Sequence, residues 1–310
     1  MSDAPPYPAA PRVIAGLLAI AVLALLVILE PIAFAQAGCA YTGAVLAASA
    51  LALVVFLTLI AAAPDALQRS MTRLGSPVDL RDPGHVGAVL IMAATLFFVL
   101  GWGGALTATA TVEAAFGTCA LGASTPIEGN VILRDVTLNL AIFTLPVLLY
   151  VSFVHGVGPV GALRALGIKS DGAARAIVLG ALVAIGFLTV LAVVASALAP
   201  LLPQNALDNA KALEIARSVT ILGALGLSTG SALGEEVFFR GFLQPRVGVV
   251  ATAVVFALAH FSYASASEVI VVFLLALTLG LLYKKTGNLW AAIAAHFAFN
   301  LVNLVAGIYA

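Results

Sequence analysis

The fold class follows from uninterrupted apolar runs such as Val178-Leu179-Gly180-Ala181-Leu182-Val183-Ala184-Ile185. Polar and apolar side chains do not alternate in this run, so it lacks the pattern of a membrane β-strand. The chain of 310 residues is 63% hydrophobic and only 9% charged, whereas roughly a quarter of the residues in a soluble domain are charged. The composition excludes an ordinary soluble domain and predicts an all-α transmembrane helical bundle.

The chain contains about nine apolar runs of a length suited to crossing the hydrocarbon core, which takes about 20 helical residues. We predict a polytopic bundle with spans at 12–34, 41–63, 86–110, 134–154, 174–199, 217–243, 247–262, 268–284 and 288–308. The first run exceeds the apolar core of a signal peptide and has no persuasive cleavage site, so we expect it to be retained.

The basic residues alternate between loops, which predicts the orientation because Lys and Arg are enriched in cytoplasmic loops. With the N-terminus cytoplasmic and the C-terminus outside, ten of the 14 basic residues fall on the cytoplasmic side: Arg12, Arg69, Arg73, Arg81, Arg164, Lys169, Arg175, Arg246, Lys284 and Lys285. We expect a multi-pass protein of the bacterial inner (plasma) membrane. The net charge is zero, and no long run of one sign indicates a nucleic-acid partner.

Both cysteines, Cys39 and Cys119, fall in loops that this topology places outside. An oxidising compartment permits a disulfide there, but their separation in sequence does not show whether they pair. A disulfide and two unpaired cysteines are both compatible with the sequence. The oligomeric state leaves no signal in it.

The chain divides near residue 173. We expect residues 1–172 to form N-terminal membrane helices, about four spans, followed by the linker His155–Gly172. Within that linker, the basic and half-apolar stretch Ala162–Lys169 predicts an interfacial helix at the cytoplasmic surface. Residues 173–310 form about five spans, and these contain the unusual polar residues.

Ionisable side chains inside a bilayer are costly, so each is a candidate functional residue. The first cluster lies in Gly234–Gly241, where Glu236 and Arg240 are four residues apart and can form an ion pair on one helix face. Glu235 is rotated by about 100° from Glu236. A carboxylate in such a position suits a general base or acid. The alternative is a pair of acids on a helix end at the water interface.

The second and third clusters are Phe256–His260 and His296–Asn300. His296 and Asn300 share a helix face because they are four residues apart, and Asn303 continues that stripe. A lone intramembrane histidine is more often structural than catalytic. Two histidines, a His/Asn pair and a double glutamate in one half of the chain favour a shared function.

Together these motifs, Glu-Glu-x-x-x-Arg, Phe-x-x-x-His and His-x-x-x-Asn, resemble those of the type II CAAX prenyl endopeptidases and bacteriocin-processing proteins. This is the CPBP or Abi family of intramembrane proteases. The phrases Glu235–Arg246, Gly280–Trp290 and Leu166–Ile168 extend the resemblance over residues 160–310. The connection between Arg240 and the seventh predicted span is shorter than in many relatives, which leaves the depth of His260 relative to Glu235 open.

The resemblance implies an endopeptidase that hydrolyses peptide bonds of a membrane-associated or CAAX-like protein in a cavity open to the cytoplasm. It implies that Glu235 and His260 activate a water molecule. His296 and Asn300 then polarise the scissile carbonyl and hold the oxyanion. A carboxylate base with preorganised donors is sufficient for this chemistry.

In the same scheme Glu236 and Arg240 position the site. The candidate catalytic residues are therefore Glu235, Glu236, Arg240, His260, His296 and Asn300.

A zinc ion is an open question. Glu235, His260 and His296 offer a His₂Glu set that leaves a position for water, as catalytic zinc requires. The chain has no His-Glu-x-x-His helix, and the three side chains come from three different spans. Members of the family are commonly described as metalloproteases, and a metal-free glutamate mechanism has also been argued, so both remain alternatives.

Two other interpretations compete with this one. Gly226–Gly230 matches the Gly-x-Ser-x-Gly pattern of serine hydrolases, but that motif works on a strand-to-helix turn, and here helix packing by small residues is expected. A non-catalytic membrane protein, such as an immunity factor, scaffold or transporter, is the alternative function for the polar cluster. The sequence does not identify the substrate or show whether it is prenylated.

Overall fold

The computed structural model describes residues 136, 140–201, 210–260 and 266–309, and eight further residues between Gln68 and His85. All regular structure in this part of the chain is helical. The predicted spans at 12–34, 41–63 and 86–110 lie outside the described residues, as do Cys39 and Cys119.

The described helices begin with a π-helix, Leu140–Thr144, that continues into α1. In chain order, the α-helices are α1 (Leu145–His155), α2 (Pro159–Ala165), α3 (Ala173–Leu198), α4 (Ala210–Ser218), α5 (Ile221–Glu236), α6 (Gln244–Val247), α7 (Val249–Ala259), α8 (Ala266–Thr286) and α9 (Leu289–Ile308). A single 3₁₀ turn, Ala199–Leu201, extends α3, and a second π-helix, Val237–Leu243, joins α5 to α6.

The chain forms two compact units, one of residues 1–121 and 148–159 and one of residues 122–147 and 160–310. In the first unit, the structure describes the C-terminal part of α1, where Tyr150, Val151 and Val154 are buried. The second unit contains all the motif residues identified in the sequence, from Glu235 to Asn300.

Helix α9 is the centre of the second unit, since α3, α4, α5 and α8 all pack against it. Its buried positions include Ala291, Ala292 and Ala295. Helix α3 passes so close that a Cβ on Gly180 would lie 2.2 Å from the carbonyl oxygen of Ala291. Small residues that let helix backbones approach are typical of packing inside a bilayer.

Three helical segments in the described part of the chain are long and apolar enough to cross a membrane: Ala173–Leu201, Ser267–Thr286 and Leu289–Ile308. The number rises to four if α1 and α2 are one broken span. The full prediction of about nine spans is not confirmed. Helix α3 buries only Ala176, Gly180 and Ala184 along one stripe, while its exposed surface carries large apolar side chains, as expected of a helix facing lipid.

The seventh predicted span, 247–262, is shorter than the sequence indicated. Helix α7 has 11 residues, so it is about 16 Å long against a hydrocarbon core of about 30 Å. It starts after Gly248, whose φ of 86° favours glycine, and it packs along α8. His260 therefore stands at the C-terminal end of a half-length helix.

The predicted interfacial segment is α2 followed by a loop that is bonded to the α8–α9 turn. Within it, the carbonyl of Leu166 accepts a hydrogen bond from the Tyr283 hydroxyl at 3.4 Å, and that of Gly167 accepts one from the Leu289 N–H at 2.8 Å. Asn288 Nδ2 donates to the carbonyl oxygens of Lys169 and Asp171 at 3.3 and 3.1 Å. These bonds fix where α9 begins.

The contact between α3 and α9 leads to a prediction about two glycines of α3. Gly180→Ala should lower the free energy of unfolding by about 1–3 kcal/mol, because the added methyl group overpacks the contact with Ala291. Gly186→Ala is the matched control, since no described atom lies within 4 Å of a Cβ there, and alanine is the better helix former. The temperature at which half of the protein remains monodisperse in detergent should fall for Gly180→Ala and not for Gly186→Ala. Equal shifts would contradict the close approach.

Candidate active site

Glu236, the last residue of α5, is completely buried at the centre of the polar cluster. Its Oε1 atom accepts hydrogen bonds from Arg240 Nη1 at 2.7 Å and from His296 Nδ1 at 2.8 Å. The predicted Glu236–Arg240 ion pair is therefore present. The contact with His296 joins α5 to α9 and was not predicted, because spacing along one helix does not report partners on another.

The helix that carries this pair changes its winding immediately after Glu236. The π-helix Val237–Leu243 contains Arg240, whose Nη2 donates to the Ala276 carbonyl at 3.3 Å. One turn later, Gln244 Nε2 donates to the Gly280 carbonyl at 3.0 Å. Single-turn π segments frequently occur at functional sites. Here the segment and the residue after it direct two polar side chains, Arg240 and Gln244, at backbone carbonyls of α8.

Phe256 in α7 connects the cationic and imidazole groups of the cluster. The Arg240 Cζ atom lies 4.3 Å from the centroid of its ring, a distance at which a cation–π interaction is favourable. The same ring stacks on His260 with centroids 4.5 Å apart, and it meets the edge of His296 at 5.9 Å. The Phe-x-x-x-His spacing thus supports His260 through a ring that also touches Arg240 and His296.

Glu235 faces His260 across a gap of 3.6 Å between Oε2 and Nε2. His260 Nδ1 lies 2.8 Å from the Phe256 carbonyl oxygen; a carbonyl can only accept, so Nδ1 carries the hydrogen. In a neutral ring, Nε2 is then an acceptor directed at a carboxylate. The gap exceeds an ordinary hydrogen bond, and a proton donor beside the pair, within reach of both atoms, can bond to the two acceptors.

The three residues of the stripe predicted on α9 differ in burial, and His296 is the buried one. Asn300 follows one turn later and is half-buried, and among the described residues no hydrogen bond joins it to the cluster. Asn303 is exposed, and its Nδ2 donates to the Phe299 carbonyl at 2.8 Å. The structure therefore brings together around Phe256 the side chains of Glu235, Glu236, Arg240, His260 and His296. Asn300 lies one turn further along α9 and makes no described hydrogen bond to them.

The described residues contain no group of three or more His, Cys, Asp or Glu side chains arranged to hold a metal ion. In this structure Glu235 faces His260, and His296 donates through Nδ1 to Glu236. The reaction proposed below uses the protein's own groups.

The Gly-x-Ser-x-Gly match lies inside α5, and Ser228 is completely buried there. A Cβ on Gly230 would lie 2.8 Å from a methyl carbon of Val136. The motif therefore serves close packing, as predicted, and does not form a strand-to-helix turn.

The segment that contains the three motifs is similar to known proteins. Residues 217–302 match the family model described as type II CAAX prenyl endopeptidase Rce1-like, and this segment contains all three motifs. The uncharacterized protein YpbD of Bacillus subtilis (strain 168) is 40% identical over 72 residues, which cover 23% of this chain and 38% of that relative. No solved structure matches the chain.

The match to the family model confirms the resemblance to the type II CAAX prenyl endopeptidase family. At the level of the family, it supports a protease, and together with the three apolar helices it indicates an integral membrane protein.

The buried ion pair leads to a stability prediction. Arg240→Met should destabilise the protein by about 3–5 kcal/mol, because it leaves the Glu236 carboxylate buried without its cation. The double variant Glu236→Leu/Arg240→Met removes both charges and should be more stable than Arg240→Met alone. Thermal unfolding in detergent measures both effects, with Arg164→Met as the control because Arg164 is exposed. Equal unfolding temperatures for Arg240→Met and Arg164→Met would contradict the role of the pair.

Proposed function

We propose that this chain is an intramembrane endopeptidase in which Glu235 and His260 activate the water that hydrolyses a peptide bond. The substrate is a membrane-associated protein, which includes CAAX-like proteins. The observation that carries the proposal is the opposition of Glu235 Oε2 and His260 Nε2 at 3.6 Å, with the imidazole held by the Phe256 carbonyl. The family match supports the class of reaction.

The two acceptors can orient one water molecule. A water about 2.8 Å from each atom directs one hydrogen to Glu235 Oε2 and the other to His260 Nε2. As its oxygen bonds to the scissile carbonyl carbon, Glu235 takes a proton and the carbonyl π electrons move to oxygen. The tetrahedral intermediate then expels the amine as the C–N bond breaks. The proton held by Glu235 goes to that amine, which completes the hydrolysis.

The oxyanion of this intermediate needs hydrogen-bond donors, and the proposal assigns them to His296 and Asn300. His296 in its doubly protonated form donates through Nδ1 to Glu236 and presents Nε2–H to the substrate.

We propose that the protein lies in the inner (plasma) membrane of a bacterium, with its N-terminus in the cytoplasm. The polar cluster then lies in the cytoplasmic half of the bilayer. His296 lies two turns into α9, about 10 Å from its start, and that start is bonded to the loop that contains Lys169. The exposed basic residues Lys284 and Lys285 lie in the last turn of α8, next to the same α8–α9 turn. Enrichment of basic residues at one end favours the cytoplasmic side.

The proposal is tested by comparing the termini of membrane-associated peptides in cells that express the wild-type protein or Glu235→Gln. Glutamine keeps the size of the side chain but cannot take the proton from water, so a specific set of termini should disappear. His260→Gln should remove the same set.

Asp171→Asn makes the same carboxylate-to-amide change at an exposed position, and it should leave the termini unchanged. Identical termini in all variants at matched expression would contradict proteolysis and favour a non-catalytic role as scaffold, immunity factor or transporter.

The metal-free mechanism makes a separate prediction for the purified protein. Cleavage of a peptide that spans a Glu235-dependent terminus should proceed at the same rate after treatment with EDTA or 1,10-phenanthroline, because no protein group in the mechanism acts through a metal. Loss of cleavage that is restored by added Zn²⁺ would contradict this mechanism while leaving the protease assignment intact.

A further inference from the structure

Several threonines in the described helices share one hydrogen-bond pattern, and Ser231 has a different one. Thr side chains donate to the carbonyl oxygen four residues earlier, a bond available to any Ser or Thr in a helix. This occurs at Thr189, Thr229, Thr252, Thr278 and Thr286. Ser231 instead donates forward, from Oγ to Oε1 of Glu235 at 3.2 Å.

The forward bond gives the two oxygens of Glu235 different partners. Oε1 accepts from Ser231, and Oε2 faces Nε2 of His260. A glutamate side chain has several rotatable bonds, and a bond at one oxygen restricts the direction of the other. The bond also lies within one helix, where residues four apart are neighbours on the same face.

We propose that Ser231 is a positioning residue that holds the Glu235 carboxylate with Oε2 directed at the water site shared with His260. The proposal rests on the proposed function, because positioning matters only if Glu235 acts as the base. Ser231 does not contact the reacting atoms in this scheme. Its hydroxyl hydrogen is donated to Glu235, and its contribution is the preorganisation of the base.

The test measures kcat and KM for the full-length protein in lipid nanodiscs. The probe is a synthetic peptide that spans a terminus lost with Glu235→Gln. Ser231→Ala should lower kcat by about tenfold to a hundredfold, the range set by a hydrogen bond to a charged group, and should leave KM nearly unchanged. Ser231→Thr should restore kcat because it keeps the hydroxyl.

Thr229→Ala is the matched control, since it removes a hydroxyl of the same helix that donates to the backbone carbonyl of Leu225. It should retain the wild-type kcat, which separates the loss of this particular bond from a general effect of hydroxyl removal on α5. A temperature of unfolding equal to the wild-type value for Ser231→Ala should accompany the loss of kcat.

Two results would overturn the positioning role while the proposed function stands: a wild-type kcat for Ser231→Ala, or a fall in kcat that Ser231→Thr does not restore. A third result would also overturn it: covalent labelling of Ser231 by a fluorophosphonate probe, together with a loss of activity in Ser231→Ala as complete as in Glu235→Gln. That result would make Ser231 a nucleophile. If no terminus depends on Glu235, the proposed function and the role of Ser231 both fail.

Discussion

The complete burial of the Glu236–Arg240 ion pair is the constraint on which the second unit depends. Removing two charges from water costs several kcal/mol for each, and the pair is tolerated only if further contacts satisfy it. Here those contacts come from His296 on α9, the Ala276 carbonyl on α8 and the Phe256 ring on α7. Four helices must therefore stand in one register for the pair to be buried.

That register separates the roles of two neighbouring glutamates. Glu236 is surrounded by a cation and a donating imidazole, so its charge is compensated within the protein. The adjacent Glu235 is rotated around the helix toward a hydroxyl and the acceptor face of an imidazole. In the proposed mechanism this carboxylate, and not Glu236, exchanges the proton. Because Glu236 is held in the ion pair, the proposed role of general base falls to the neighbouring Glu235.

The sequence predicted those features that depend on local spacing. The expected spans 174–199 and 288–308 lie close to α3 and α9, because long apolar runs define a helix by themselves. The Glu236–Arg240 pair follows from a separation of four residues. The contact between Glu236 and His296 could not follow from it, since it joins residues from different helices. Nor does apolar character distinguish the half-length α7 from a full span.

Ser231 is a different case, because it was within reach of sequence reasoning. The same four-residue spacing that pairs Glu236 with Arg240 pairs Ser231 with Glu235 when it is applied toward the N-terminus. Serine next to glycine and alanine is also typical of close helix packing, so the spacing alone does not show that Ser231 is a donor. A hydroxyl one turn before an intramembrane acid is therefore worth reading as a donor as well as a small residue.

The same arrangement gives the side chains of the polar cluster different exposures. Glycines beside the ion pair bring the helices close, since a Cβ on Gly241 or Gly280 would lie within 3 Å of Leu166 or Gln244. The side chains of Glu236 and Arg240 are 0% exposed, whereas that of His260 is 21% exposed at the end of the short α7. Close packing thus shields the ion pair, whereas the imidazole of His260 is partly exposed. The proposed hydrolysis would benefit from this difference in exposure, because water at the ion pair would weaken the interaction between Glu236 and Arg240.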